Sequence, residues 1–112
     1  MPVAVGELID KLTILEIKMR HIKDPAKLKN IQIEHQELEK IKLKYGYDTK
    51  AIETLQAHLK TINQELWTIE DDIRDCEFNN QFDQTFIDLA RAVYITNDKR
   101  CEIKRQINLE TG

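Results

Sequence analysis

The stretch DTKAIETLQAHLKTINQELWTIEDDIRDC, residues 48–76, decides the fold. Within it Ile52, Leu55, Leu59, Ile62, Leu66, Ile69, Ile73 and Cys76 recur in steps of three and four without a miss. That spacing returns each side chain to one face of an α-helix. Sustained over more than three heptads, it is a coiled-coil-like seam. A seam this long needs a partner of matching length, and the segment beyond the polar turn Asn79-Asn80-Gln81 supplies one. There Phe82, Phe86, Leu89 and Val93, then Thr96 and Arg100, then Ile103 and Ile107 follow the same rhythm. Asp48 is placed to cap the first of these helices, with Tyr47 and Ile52 as a hydrophobic staple; Asp83 caps the second, with Phe82 and Ile87.

Working outward, Leu8, Leu12, Leu15, Met19 and Ile22 form an amino-terminal stripe. Asp24-Pro25 then reads as an N-cap followed by proline at the first helical position, where its missing N–H costs nothing. Leu28, Ile31, Leu38, Ile41 and Tyr45 carry the next helix, which Gly46 stops. The expectation is one all-α domain over residues 1–112, with helices at about 5–22, 25–45, 48–77 and 83–110. Short connections make these antiparallel helical hairpins in a four-helix bundle-like domain, with coiled-coil-like packing of the two long carboxy-terminal helices. At 1.5 Å per residue the first pair spans roughly 30 Å and the second roughly 42 Å. The second hairpin therefore overhangs the first, and Ile69, Ile73, Phe82 and Phe86 at its tip need cover. A homodimer is the economical solution.

Charge narrows the function. With 17 basic against 20 acidic residues and a formal net charge of -3, the chain lacks the basic footprint of a nucleic-acid binder. It has no apolar run long enough for a membrane span. The start, MPVAVGELIDKL, lacks the basic and apolar regions of a secretory signal. Cys76 and Cys101 make no disulfide framework, so a reducing, cytoplasmic setting is expected. No CxxC, HExxH, glycine-rich phosphate loop or nucleophile elbow is present, which argues against the motif-marked enzyme classes and implies no cofactor.

Folding the helices at their turns brings some polar residues to one level. Glu16 comes opposite His35, His35 opposite His58, and His58 opposite Arg100 and Cys101. Arg100 interrupts a seam and needs a carboxylate, and Glu16 is the nearest acid by level. This layer reads either as a small anion pocket using Arg100, His35 and His58 with Glu16, or as a polar layer that fixes helix register. Level counting also sets Asp10 against Lys104 and Arg105, and Lys18 against Asp98. Ile87, Arg91, Tyr94, Asp98, Cys101 and Arg105 form a stripe on the back of the last helix, and Trp67 lies level with Arg91, where the two groups can stack. Acids at Glu34, Glu37, Asp72 and Asp75 have the spacing of magnesium-binding pairs, but fall at opposite ends of the hairpin, so no metal site is expected.

Two stretches carry a family resemblance: Val3–Lys18, with Gly6-Glu7-Leu8-Ile9-Asp10-Lys11-Leu12, and Leu66–Arg74 continued through Phe86–Arg100 to Ile103–Asn108, with the element Asn97-Asp98-Lys99-Arg100. Over essentially the whole chain these resemble a family of small all-helical proteins of bacteria and phages known only as a domain of unknown function. The resemblance implies a genomic setting near glycosyltransferase and surface-polysaccharide genes. It marks Glu7, Asp10, Lys11, Glu16, Lys18, Trp67, Glu70, Asp71, Arg74, Arg91, Tyr94, Asn97, Asp98, Arg100 and Lys104. The family's serine at position 4 is Ala4 here, which cannot close a capping box with Glu7.

Two functional readings follow. The leading one is an interaction or structural module, a homodimer that meets a protein partner through Trp67, Arg91, Tyr94 and Arg105. The alternative is a small enzyme or ligand sensor. It would hold a phosphate- or carboxylate-bearing molecule through Glu16, Lys18, Asn97, Asp98 and Arg100, joined by His35 and His58.

Overall fold

The computed structural model describes residues 4–111 and is all-α. Helix α1 runs Val5–His21, α2 Pro25–Lys44, α3 Lys50–Phe78 and α4 Gln84–Glu110. The helix ends follow local chemistry. Asp24 accepts hydrogen bonds from the amides of Ala26 and Lys27 with Pro25 just inside, and Asp83 accepts from Thr85. The cap of α3 is Thr49 rather than Asp48: the Thr49 hydroxyl accepts from the Ile52 amide at 3.4 Å. Tyr47 is still engaged in closing α2, through its amide to the Lys42 carbonyl at 3.0 Å. The chain therefore needs one more residue before the next helix turns in.

Both α2 and α3 end in Schellman turns. Gly46 takes the left-handed conformation (φ 72°) in the first, and Asn80 (φ 54°) plays the same part in the second. Asparagine is among the few non-glycine residues that enter this region readily. Its neighbour Gln81 closes the turn with an amide hydrogen bond to the Cys76 carbonyl at 2.7 Å.

The most extensive pairing is α3 with α4, as their seams require. Sequential neighbours do not all pack, however. Helix α1 lies against α2, α3 and α4, whereas the backbone of α2 comes close to α1 alone and reaches α3 only through side chains. The reason is that α1 is apolar on two sides. Beside Leu8, Leu12 and Leu15 stands a second row, Ile9, Thr13 and Ile17, all buried. Ile9 and Leu12 join Ile52, Leu59, Ile62, Ile103 and Ile107 in one core, with Leu38 the contribution from α2. Each such side chain taken fully from water contributes about 1.5–3 kcal/mol. Elsewhere α2 is half-buried on one face and exposed over the rest, and Lys42 clamps its end to α3. That lysine is 2% exposed, and its ammonium donates to Glu53 and to Gln56.

Helix α1 starts without a side-chain cap of its own, as Ala4 dictates. The substitute comes from the far end of the chain: Asn108 accepts a hydrogen bond from the Gly6 amide at 2.7 Å. This contact needs glycine. A Cβ on Gly6 would sit 2.7 Å from the Lys104 carbonyl oxygen and 3.0 Å from Asn108 Oδ1. Among the described residues no helix is long and apolar enough to cross a membrane.

Candidate functional site

The polar centre of the molecule lies where α1, α3 and α4 meet. Asp10, 3% exposed, receives Arg100 side-on: Nε donates to Oδ1 at 3.0 Å and Nη2 to Oδ2. Asn63 of α3 donates to the same carboxylate and also to the Thr13 hydroxyl, each at 2.8 Å; the Thr13 hydroxyl in turn donates to the Asp10 backbone carbonyl at 2.7 Å. Lys104 stands 3.8 Å from Asp10 and pairs with Glu7 at 2.5 Å. Burial pushes the Asp10 carboxyl up, but hydrogen bonds from Arg100 and Asn63 and the charges of Arg100 and Lys104 outweigh it and hold the pKa below its ordinary 3.8. The hydrogen bond to Asp10 raises Arg100 in turn. A buried carboxylate is tolerated here because its acceptor positions are filled by donors.

Beside this network opens a cleft of about 210 Å³. Its apolar lining is Ile14, Ile17, Leu66 and Trp67; Lys18, Glu70, Asn63 and Arg100 supply its polar lining. The Trp67 indole is held by stacking on His21, with ring centroids 4.7 Å apart and planes 17° from parallel. The position expected to stack on Trp67, Arg91, instead lies on the outward face of α4.

The remaining polar residues expected at one layer are distributed over three places. Glu16 faces the other side of α1, where it pairs with Lys60 at 3.1 Å and lies 3.6 Å from His35 Nε2. That nitrogen is buried and has no hydrogen-bond partner among the described residues. His58 and Asp98 line an open groove between α3 and α4, away from Arg100's network. Asn97 is half-buried, and Arg105 pairs with Glu102 on its own helix at 2.7 Å. The level pairing of Asp10 with Lys104 is present; the pairings of Glu16 with Arg100, Asp10 with Arg105 and Lys18 with Asp98 are not. The acid that holds Arg100 is Asp10. Asn63 and Thr13 were the residues hidden from sequence reasoning, because one sits beside an apolar row and the other within one, like many silent polar positions. Their only signal is adjacency: Asn63 follows the seam residue Ile62, and Thr13 interrupts the row of Ile9 and Ile17.

Cys76 is buried and Cys101 exposed, both as free thiols. Burial and the carboxylates of Asp83, Asp72 and Asp75 push the Cys76 thiol up, which makes it a packing residue rather than a nucleophile. No group of three or more His, Cys, Asp or Glu among the described residues is arranged to hold a metal ion.

A second surface lies on the outward side of α4. Phe86, Ile87, Ala90, Arg91, Tyr94 and Ile95 surround an apolar groove of about 500 Å³. Tyr94 is 71% exposed, Ile95 54% and Ile87 44%. At the hairpin tip Phe78 and Phe82 are exposed too, with Phe82 edge-on to Phe86 at 5.3 Å.

The family model described as a family of unknown function (DUF6165) matches residues 1–112, the full sequence. The chain belongs to that family. No curated protein and no solved structure matches it. For this DUF6165 member, what the molecule does must be read from its own two surfaces.

Proposed function

We propose that this protein is an interaction module that pairs with a second copy of itself through the outward face of α4. The observation that carries this reading is the character of that face. Large apolar side chains, Ile87, Tyr94 and Ile95, stand exposed beside Arg91 and Asp98, two opposite charges with no ion-pair partner among the described residues. The row Ile87, Arg91, Tyr94, Asp98 repeats at three and four residues on the side of α4 away from the buried Thr96, Ile103 and Ile107, with Asp98 at its end also edging the α3–α4 groove.

Such a row is complementary to itself. In an antiparallel pair of α4 helices whose two-fold axis passes between Tyr94 and Ile95, Arg91 of each copy faces Asp98 of the other, and Tyr94 meets Ile95. A two-fold interface is isologous, so one favourable pair is made twice. The apolar residues supply the affinity, and the charges fix direction and register. An adaptor of this kind suits the surface-polysaccharide setting that the resemblance implies, because it brings two copies of whatever it carries together.

Sedimentation equilibrium at tens of micromolar tests the reading. The wild type is expected to be a dimer, Arg91→Asp and Asp98→Arg each a monomer, and the double exchange R91D/D98R a dimer again. A monomeric wild type refutes self-pairing, and a double exchange no better than the singles refutes the register.

A further inference from the structure

The cleft between α1, α3 and α4 is a second, independent feature, since Arg100 faces it from the inward side of α4. Two of its charges are unspent. Lys18 and Glu70 both line it, yet neither forms an ion pair with the other or with any other described residue. The two groups therefore stand beyond ion-pair reach across the opening. Arg100 adds a donor: its hydrogen bonds to described residues run from Nε and Nη2 to Asp10, which leaves Nη1 to face a ligand. Because Asp10 holds the guanidinium in place from behind, that donor is fixed in direction.

We infer that this cleft binds a small bipolar molecule, one end a phosphate or carboxylate and the other an ammonium or hydroxyl donor. The anionic end meets Lys18 and the free edge of Arg100. The donor end reaches Glu70, and the short carbon link lies on Ile14, Ile17 and the Trp67 face. Size agrees. A cleft of about 210 Å³ has room for about seven waters at roughly 30 Å³ each, hence for a molecule of similar heavy-atom count. A wholly anionic ligand is disfavoured by the Glu70 carboxylate, and a simple cation by Lys18 and Arg100.

The protein carries its own reporter, because Trp67 is the one tryptophan in the chain. Phosphoethanolamine and glycerol 3-phosphate serve as bipolar probes, with inorganic phosphate and ethanolamine as single-ended ones. Binding is followed by Trp67 emission and, independently, by titration calorimetry on the full chain. Saturable binding of at least one bipolar probe is expected, about tenfold or more tighter than either single-ended probe. Lys18→Met should weaken it at least about tenfold, the scale of one lost charge-assisted hydrogen bond. Glu70→Gln should weaken phosphoethanolamine and leave inorganic phosphate as tight or tighter, since the repelling carboxylate is gone. Lys18 holds no ion-pair partner among the described residues, so K18M should keep its fold, checked by its thermal transition. No saturable heat with either bipolar probe, or K18M binding as the wild type does, overturns the site. Equal binding of inorganic phosphate and both bipolar probes, indifferent to E70Q, overturns the bipolar class.

Discussion

Replacing Asp10 by asparagine tests the polar centre most directly, because the shape is kept while the charge goes and one acceptor oxygen becomes a donor. Asp10 is almost wholly enclosed and holds Arg100 through two hydrogen bonds, with Asn63 as a third donor. Stranding one member of a fully buried pair costs about 3–5 kcal/mol. Two features reduce that here. The Arg100 side chain is 28% exposed and can recruit water, and the asparagine carbonyl still accepts one hydrogen bond, worth about 1 kcal/mol. The expected loss is about 2–3 kcal/mol, which lowers the urea midpoint by about 1–2 M. The pH dependence has a definite sign. The folded pKa of Asp10 lies below its ordinary 3.8, so its contribution is complete above that value and disappears as pH falls through the lower, folded one. The gap between wild type and Asp10→Asn should therefore be full at pH 7 and shrink as pH falls below the ordinary 3.8 and through the lower, folded pKa. Urea melts at several pH values measure it. A loss under about 0.5 kcal/mol at pH 7, within the range of an ordinary surface change, would sink the argument. So would a gap that does not change with pH.

Three further outcomes follow from the packing. Gly6→Ala gains up to about 1 kcal/mol of helix propensity but drives its methyl into the Lys104 carbonyl at 2.7 Å, so calorimetric melting should show a net loss of about 1–2 kcal/mol. Thr49→Ala should cost about 1 kcal/mol and Asp48→Ala close to nothing, a contrast read from chemical denaturation that separates the two candidate caps of α3. Lys42→Met keeps the buried stem and releases a half-exposed Glu53, so it should stay within about 1 kcal/mol of wild type, whereas Lys42→Ala also empties the packed space and should lose at least about 2 kcal/mol in the same assay.

The helices, their caps at Asp24 and Asp83 and the turns at Gly46 and Asn80 were legible in the sequence. Periodicity and capping are local and depend on residues three or four apart. So was the α3–α4 seam, since two long apolar stripes joined by a short turn have few other ways to leave water. Level counting also placed Asp10 beside Lys104, because short turns set the height of each residue along its neighbour. What it could not set was azimuth. Glu16 stands near the height of Arg100, but six residues separate it from Asp10, about 120° around α1. That rotation turns Glu16 toward His35 and Lys60, and Asp10 toward Arg100. Which side of α1 meets α4 was decided by the close approach at Gly6 and by the second apolar row of Ile9, Thr13 and Ile17. Only the assembled bundle makes both choices, because the free energy of burying that row is gained from all three neighbours of α1 together.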